Sequence, residues 1–280
     1  MGRDLDFIYV GLPKAGSTWL FDVLREHPDV RMLASKSSKF FETDLPGSLD
    51  EYRDLLGQMK PDGKAGEISH DAYMYESTAP RLREAFPSVR ILACLREPGD
   101  FARSVLTWWT THTREFGHSP QEMASHPQFR AATDPLARLE PFYRLFPREQ
   151  IKVVLFDDLV ADPDGFYGEI CDFLGLSEAY RPAGLTKVVN KARPPRYPLL
   201  TRAIYRSGDV FRTAGFGALV ERAKRSTALD MLLYAPSSSG RGADREILRE
   251  VEEVRKAVRP SLRQLETLID RPIPPTWWEA

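Results

Sequence analysis

A glycine-containing loop joins an apolar run near the start of the chain to a helix-forming segment. The residues are FIYVGLPKAGSTWL at positions 7–20, with Gly11 and Gly16 on either side of Lys14. Backbone N–H groups of such a loop, together with those of the first helical turn, converge on anionic oxygens without a large desolvation cost. We therefore predict a strand, loop and helix that hold a phosphorylated ligand at the helix N-terminus.

The position of the lysine distinguishes this loop from that of a nucleotide kinase. A Walker A loop reads G-x-x-x-x-G-K-[ST]. Here positions 11–18 read GLPKAGST, so that Ser17 stands where a kinase has lysine and Lys14 precedes the second glycine. The loop keeps a cation near the expected phosphate but lacks the kinase arrangement.

Length, charge and cysteine content limit the class of protein. The chain has 280 residues, which suits one large domain that we assign to residues 1–280. A formal net charge of −1 lacks the bulk positive field of a nucleic-acid-binding protein. Cys94 and Cys171 fall in apolar segments without zinc-site spacing, which indicates reduced, buried thiols. Because the sequence has no long apolar run, we predict a cytoplasmic protein without a membrane span.

Short apolar runs alternate with helical patterns, as in parallel sheets buried on both faces. The predicted strands are 7–10, 64–68, 90–95 and 151–156. Helices are predicted over 76–86, from Pro98 through Trp108, over 166–175 with Gly175 as the C-cap, and within 244–270. Segments 181–198 and 235–243 are predicted loops. The predicted fold class is α/β, a P-loop NTPase-like three-layer fold with a central, mostly parallel sheet flanked by helices.

A second informative segment is LREPGDFARSVLTWW at positions 95–109. Arg96 ends a predicted buried strand, and Ser104 lies on the helix that Pro98 opens. A strand-end arginine can reach the crevice above the sheet, where the serine hydroxyl can meet the same anion. A kinase would need an acidic metal ligand at this place instead.

Four motifs together resemble those of the sulfotransferases that use 3′-phosphoadenosine 5′-phosphosulfate (PAPS). PKAGST is similar to the family's 5′-phosphosulfate loop, and R-E-P-G-D-x-x-x-S is similar to its 3′-phosphate signature. VVLFDDLVADP followed by ICDFLGL resembles the strand and helix after that signature. SGRGADREI and PPTWW resemble the closing segment of the Golgi and bacterial carbohydrate-type branch.

The resemblance implies roles for individual residues. Lys14 would contact the bridging oxygen and stabilise the charge on the departing 3′-phosphoadenosine 5′-phosphate (PAP), while Arg96 and Ser104 would hold the 3′-phosphate. The implied donor-binding residues are Lys14, Ala15, Gly16, Ser17, Thr18, Trp19, Arg96, Ser104, Gly240 and Arg241, the last two from a segment in which Ser239 replaces the family's lysine. A sulfuryl group in transfer carries less negative charge than a phosphoryl group, so no metal ion is expected.

Three side chains are candidates for the general base that accepts the proton of the acceptor hydroxyl. Relatives of the carbohydrate branch carry a glutamate three residues before a Phe-Phe pair, where this chain has Ser37. His70, in the segment GEISHDAY, matches the strand end at which cytosolic relatives place a catalytic histidine. Glu67 and Glu42 are the alternatives.

Cations and aromatic residues near these motifs leave further alternatives open. Lys36 can assist at the sulfuryl oxygens if it faces the cleft, whereas Lys39 is expected to be solvated. The aromatic residues Phe101, Trp108 and Trp109 could line an acceptor pocket, stack on adenine or belong to the core, which is the commoner case.

The predicted reaction is sulfuryl transfer from PAPS to a hydroxyl, less favourably an amine, of a small metabolite or sugar. A P-loop kinase or NTPase is the chief alternative, because VVLFDD at 153–158 can pass for a Walker B strand ending in Asp157 and Asp158. A nucleotide-binding relative that has lost its base, as Ser37 suggests, is the second. Neither the acceptor nor the oligomeric state follows from the sequence.

Overall fold

The computed structural model describes residues 4–44, 47–112, 119–185 and 241–279. At its centre lies a five-stranded sheet in the order β2-β3-β1-β4-β5, and every strand pair is parallel. The strands are β1 (Phe7–Gly11), β2 (Val30–Met32), β3 (Lys64–Ile68), β4 (Arg90–Leu95) and β5 (Ile151–Leu155). Helices flank the sheet, and the predicted α/β fold class is confirmed.

The described helices are α1 (Ser17–Glu26), α2 (Leu49–Gly57), α3 (Thr78–Ala85), α4 (Pro98–His112), α5 (Pro120–Ser125), α6 (Pro127–Ala132), α7 (Pro135–Leu145), α8 (Phe156–Ala161), α9 (Pro163–Leu174), α10 (Arg241–Val258) and α11 (Leu262–Ile269). Several begin with proline, whose fixed φ and missing N–H suit the first helical position. Short 3₁₀ turns occupy Ala72–Met74, Arg148–Gln150, Arg259–Ser261 and Pro275–Trp277. None of the helices in the described ranges is long and apolar enough to cross a membrane.

The core forms around the central strands. All five residues of β1 are buried, and so is β4 after its first residue, because helices cover both faces of the sheet. Cys94 and Cys171 are free and buried, as predicted. The buried apolar side chains make one continuous cluster that includes the last helices of the chain.

The predicted strands 7–10, 64–68 and 90–95 match the structure to within one residue. The predicted strand 151–156 is one residue too long, since Phe156 already begins α8. Strand β2 was not predicted, because it has only three residues and one of them alone is buried.

The helix predictions are confirmed with shifted ends. Helix α3 is shorter than the predicted 76–86, α4 continues beyond Trp108 to His112, and α9 begins at Pro163 and ends before Gly175, whose φ is 65°. Two helices and an intervening 3₁₀ turn occupy 244–270.

The loop predictions can be compared only in part. The loop predicted over 235–243 is wrong at its last three residues, which are the first turn of α10. The other predicted loop, 181–198, is irregular over 181–185, and its remainder lies outside the described residues.

Candidate donor and catalytic site

The loop after β1 forms a tight turn at the carboxyl end of the sheet. Gly16 precedes α1 with φ 81°, and a Cβ atom there would lie 2.6 Å from Leu159 Cδ2, so both conformation and space require glycine. Lys14 also has positive φ, 60°. The backbone N–H of Leu12 donates to Cys94 O at 3.1 Å and fastens the loop to β4. No side chain caps α1, which leaves its first-turn N–H groups for an anion.

The predicted donor-binding residues of this loop are not equivalent. Ala15 is buried, and the Trp19 side chain turns into the core, where its Nε1–H donates to Leu185 O at 2.9 Å. The Trp19 ring also packs edge-on against Phe166, with 5.7 Å between the ring centres. Ala15 and Trp19 can therefore contact an anion only through their backbone N–H groups.

Lys36 faces the cleft and reaches the loop. Its Nζ donates to Ser17 Oγ at 2.8 Å and to Thr18 Oγ1 at 3.3 Å. Burial lowers the pKa of Lys36 to about 8, a shift that the carboxylates of Asp71 and Glu42 oppose. The sequence left the direction of this side chain open, because a lysine in a polar loop carries no signal of which way it points.

Lys14 and Arg96 come together, as the two motifs predict. The Arg96 Nη1–H donates to Lys14 O at 3.0 Å, and its guanidinium stacks on Phe156 at 4.8 Å from the ring centre. Arg96 Nε is buried and has no hydrogen-bond partner among the residues that the structure describes. The Lys14 Nζ lies 5.8 Å from the centre of the Trp108 ring. Burial and the neighbouring Arg96 lower the pKa of Lys14.

Ser104 lies on the face of α4 that looks toward these cations. Asp100, Ser104 and Trp108 are four residues apart, so they share one helix face. Arg96 Nη2 lies 4.0 Å from Asp100 Oδ2 at one end of this face, and Trp108 meets Lys14 at the other. The placement supports the predicted pairing of Arg96 with Ser104.

His70 lies in a cluster with two carboxylates after β3. Its Nδ1 is 3.5 Å from Glu42 Oε1, and its Nε2 is 3.7 Å from Asp71 Oδ2. Glu42 is buried and accepts the Asp71 backbone N–H at 3.2 Å. Ligand atoms of these three residues lie within 4.8 Å of one another, close enough to share a cation. Lys39 is exposed, as predicted, and its Nζ lies 3.3 Å from Glu42 Oε2.

Burial and the neighbouring lysines keep the histidine neutral. Burial lowers the pKa of His70 to about 3, and Lys36, Lys39 and Lys14 act in the same direction. Burial also raises the pKa of Asp71 to about 6, with a further contribution from Glu42. A neutral imidazole can accept a proton, as a general base must.

The prediction that Glu67 is catalytic finds no support in its surroundings. Its carboxylate is fully buried and accepts hydrogen bonds from Ser38 N at 2.8 Å, Ser38 Oγ at 2.7 Å, Ser69 Oγ at 2.6 Å and Tyr52 OH at 2.6 Å. Burial raises the pKa of Glu67, while these hydrogen bonds oppose the shift. These contacts join β3, the loop at Ser38 and α2, and a catalytic role of Glu67 stays a prediction.

Ser37 and the aromatic residues also take definite places. Ser37 Oγ accepts the backbone N–H of Lys39 at 3.0 Å, so this serine shapes a turn. Phe101 is buried in the core, and Trp109 packs against Phe129, whereas Trp108 is 43% exposed beside Lys14. Of these three aromatic residues, Trp108 is the most exposed to a ligand.

The two carboxylates that suggested a Walker B strand are engaged by the C-terminal segment. Arg271 Nη2–H donates to Asp158 Oδ2 at 2.8 Å, and Trp277 Nε1–H donates to Asp157 Oδ2 at 3.4 Å. At the other proposed contact, Gly240 lies outside the described residues, and Arg241 begins α10 with a side chain that is not described. Their contact with the donor stays a prediction.

Comparison with known proteins points to one family. The Sulfotransferase family model matches residues 72–180. Human heparan sulfate glucosamine 3-O-sulfotransferase 6 is 30% identical over 182 residues, which cover 60% of this chain and 52% of that protein. Mouse heparan sulfate glucosamine 3-O-sulfotransferase 3B1 is 29% identical over 183 residues, or 60% of this chain and 45% of that protein. The chain spans about half the length of the curated relatives it matches.

A sulfotransferase from Alicyclobacillus acidocaldarius has a similar structure, with a TM-score of 0.65 at 21% identity over 98% of this chain and 99% of that one. The likeness defines the class, an α/β protein with a sulfotransferase fold. The predicted resemblance to sulfotransferases is confirmed, and the heparan sulfate relatives agree with the carbohydrate-type branch.

Proposed function

We propose that the chain transfers a sulfuryl group from PAPS to a hydroxyl group of a carbohydrate or small metabolite. One observation carries the proposal: Lys36 contacts Ser17 at the uncapped N-terminus of α1, and Arg96 donates to the carbonyl of Lys14 in the loop before that helix. Three cations and a helix N-terminus suit a ligand with several negative charges, as PAPS has. The heparan sulfate relatives favour a carbohydrate acceptor over an amine-bearing one.

The donor would bind with its two anionic ends in separate subsites. The loop backbone and the hydroxyls of Ser17 and Thr18 would hold the 5′ side. Arg96, whose buried Nε still lacks a described partner, would bind the 3′-phosphate together with Ser104. A cationic group with an unused buried donor fits an additional anion, so the residues present fit this ligand.

Charge stabilisation would come from the two lysines. Lys14 would stabilise the negative charge that develops on the leaving phosphate oxygen. Lys36, between the loop hydroxyls and the His70 cluster, would face the sulfuryl oxygens. Preorganised donors of this kind are often the largest single contribution to catalysis.

His70 would accept the proton of the acceptor hydroxyl. Its neutral ring has the required protonation state, and Glu42 next to Nδ1 would stabilise the imidazolium that forms. Burial weakens this base, and Lys36 and Lys14 weaken it further, because each of these lowers the pKa of His70. Negative charge on a bound donor would offset that effect and make His70 more basic when the substrate is in place.

The competing functions are less well supported. Ser17 replaces the Walker A lysine, and Asp157 and Asp158 bind Trp277 and Arg271, so a kinase-type metal site is not supported. The intact His70 and Glu42 pair gives a non-catalytic relative less support than Ser37 alone suggested. The cytoplasmic location and the single domain over residues 1–280 remain predictions.

Two measurements test the proposal. Thermal-shift titration without magnesium should show strong stabilisation by PAP and little by ATP, because Arg96 and Ser104 select for a 3′-phosphate. Incubation with PAPS and a panel of glycosides, heparan-derived oligosaccharides and phenols, read by mass spectrometry, should show a sulfated product in the presence of EDTA. Preference for magnesium-bound ATP would refute the sulfotransferase proposal, whereas PAP binding without product on any acceptor would favour the non-catalytic relative.

A further inference from the structure

Arg255 of α10 forms a two-point ion pair with Glu97, the residue that directly follows Arg96. Its Nε lies 3.2 Å from Glu97 Oε1, and its Nη2 lies 3.0 Å from Glu97 Oε2. The Glu97 side chain is only 8% exposed, and this hydrogen bond raises the pKa of Arg255. A bidentate pair fixes orientation as well as distance. The contact joins the C-terminal part of the chain to the turn after β4.

The same carboxylate organises the start of α4. Glu97 Oε1 accepts the Gly99 N–H at 2.9 Å, and Glu97 Oε2 accepts the Asp100 N–H at 2.6 Å. A carboxylate in this position satisfies first-turn N–H groups and interacts favourably with the helix dipole. Glu97 therefore fixes the direction in which α4 leaves β4, and with it the position of Ser104 relative to Arg96.

Gly99, in the R-E-P-G segment, leaves the space that the ion pair between Glu97 and Arg255 needs. A Cβ atom at Gly99 would overlap Arg255 Nε and lie 2.9 Å from Arg255 Cγ. The glycine thus opens the space in which the arginine stem crosses the first turn of α4. Any larger residue would push the guanidinium away from Glu97.

We infer that Arg255 is a positioning residue of the donor site, which acts through Glu97 to hold the turn and helix that present Arg96 and Ser104 to the 3′-phosphate. This inference rests on the proposed function, because the 3′-phosphate is the group whose binding it controls. Through this contact α10, which lies far along the chain from Arg96, takes an indirect part in donor recognition.

Relative affinity for PAP and for adenosine 5′-phosphate tests the inference, since the two ligands differ in the 3′-phosphate. Arg255→Met keeps the stem but removes the guanidinium, and should reduce the PAP preference at least tenfold while the affinity for adenosine 5′-phosphate stays within twofold. Arg249→Met is the matched control, because Arg249 lies on the same helix, is 58% exposed and pairs with Glu250 inside that helix. Its preference should equal that of the wild type.

Arg255→Lys is a second test variant. It keeps the positive charge, so its result does not require that the protein still folds without that charge. Lysine keeps the charge without the two-point contact, so the preference should fall at least threefold. A wild-type preference in Arg255→Lys, or in a folded Arg255→Met, would overturn the inference and leave the proposed function intact. Wild-type protein that fails to prefer PAP over adenosine 5′-phosphate would instead remove the proposed function.

Discussion

The ammonium of Lys36 lies 2.8 Å from the hydroxyl of Ser17, although Ser17 begins α1 and Lys36 lies in the segment after β2. Lys36 is itself anchored to β3, because its carbonyl accepts the Ile68 N–H at 3.2 Å. The positive charge of Lys36, whose backbone is hydrogen-bonded to β3, therefore lies against the loop after β1. The contact joins the half of the site that would hold the donor to the half that contains His70.

Donor affinity should depend on pH through Lys36. Its pKa of about 8 means that the group is protonated below that value and neutral above it, so anion binding is strongest below pH 8. We expect the PAP dissociation constant to rise above pH 8, by at most about tenfold per pH unit. Isothermal titration between pH 7 and pH 10 measures this. Lys36→Arg, which stays charged, should remove the dependence; an unchanged profile in that variant would assign the effect to another group.

Lys14→Met should reduce turnover far more than donor binding. The charge that Lys14 would stabilise develops mainly during transfer, so we expect kcat to fall by roughly 10²–10³-fold. Steady-state kinetics with PAPS and a sulfated-product assay give the value. Lys60→Met, at an exposed position, is the control. A loss confined to KM would mean that Lys14 serves ground-state binding only.

His70→Gln should abolish proton transfer while PAP binding is kept. We expect a loss of about 10²–10⁴-fold in kcat, and a smaller loss for Glu42→Gln, because the glutamate supports the imidazolium without accepting the proton. Single-turnover transfer separates this step from product release. Full activity of His70→Gln would move the role of base to Asp71 or Glu42.

Tyr52→Phe should destabilise the protein without changing the donor site. It removes a hydrogen bond to the buried Glu67 carboxylate, worth about 1.5–3 kcal/mol for a charged partner. Urea unfolding gives the change in free energy of unfolding, and PAP affinity should stay within about twofold. Tyr75→Phe, at a half-buried tyrosine, serves for comparison. Loss of turnover at unchanged stability would support a catalytic role for Glu67.

The parts of the fold that the sequence predicted are those with strong local signals. Short β-branched runs identified three strands, a weaker pattern indicated the strand at 64–68, and Pro98 and Gly175 marked helix ends through their backbone preferences. Strand β2 carries too short a pattern to be recognised, and it forms because β3 offers it hydrogen-bonding partners. Its stability comes from the sheet and not from its own residues.

The site was predictable where a motif fixes the backbone, as at Lys14, Arg96 and their shared contact. It was not predictable where the answer depends on a distant element. Tyr52, from a separate helix, donates a hydrogen bond to the buried carboxylate of Glu67. Likewise, Arg255 reaches Glu97 from a helix far along the chain. Such contacts are decided by packing in three dimensions, which residue spacing does not encode.

The order of the strands in the sheet affects how the acceptor specificity of this cleft can change. Arg96 follows β4, His70 follows β3, and β1 lies between these two strands. The two flanks of the cleft, one after β4 and one after β3, are therefore two strand spacings apart, roughly 10 Å. On the proposed function, the nucleotide would lie on one flank and the proton acceptor on the other, with the sulfuryl group crossing above the middle strand. Mutations beyond β3 could then alter which alcohol is modified while the nucleotide flank keeps its shape. Such a partition would let one scaffold acquire new acceptors in small steps.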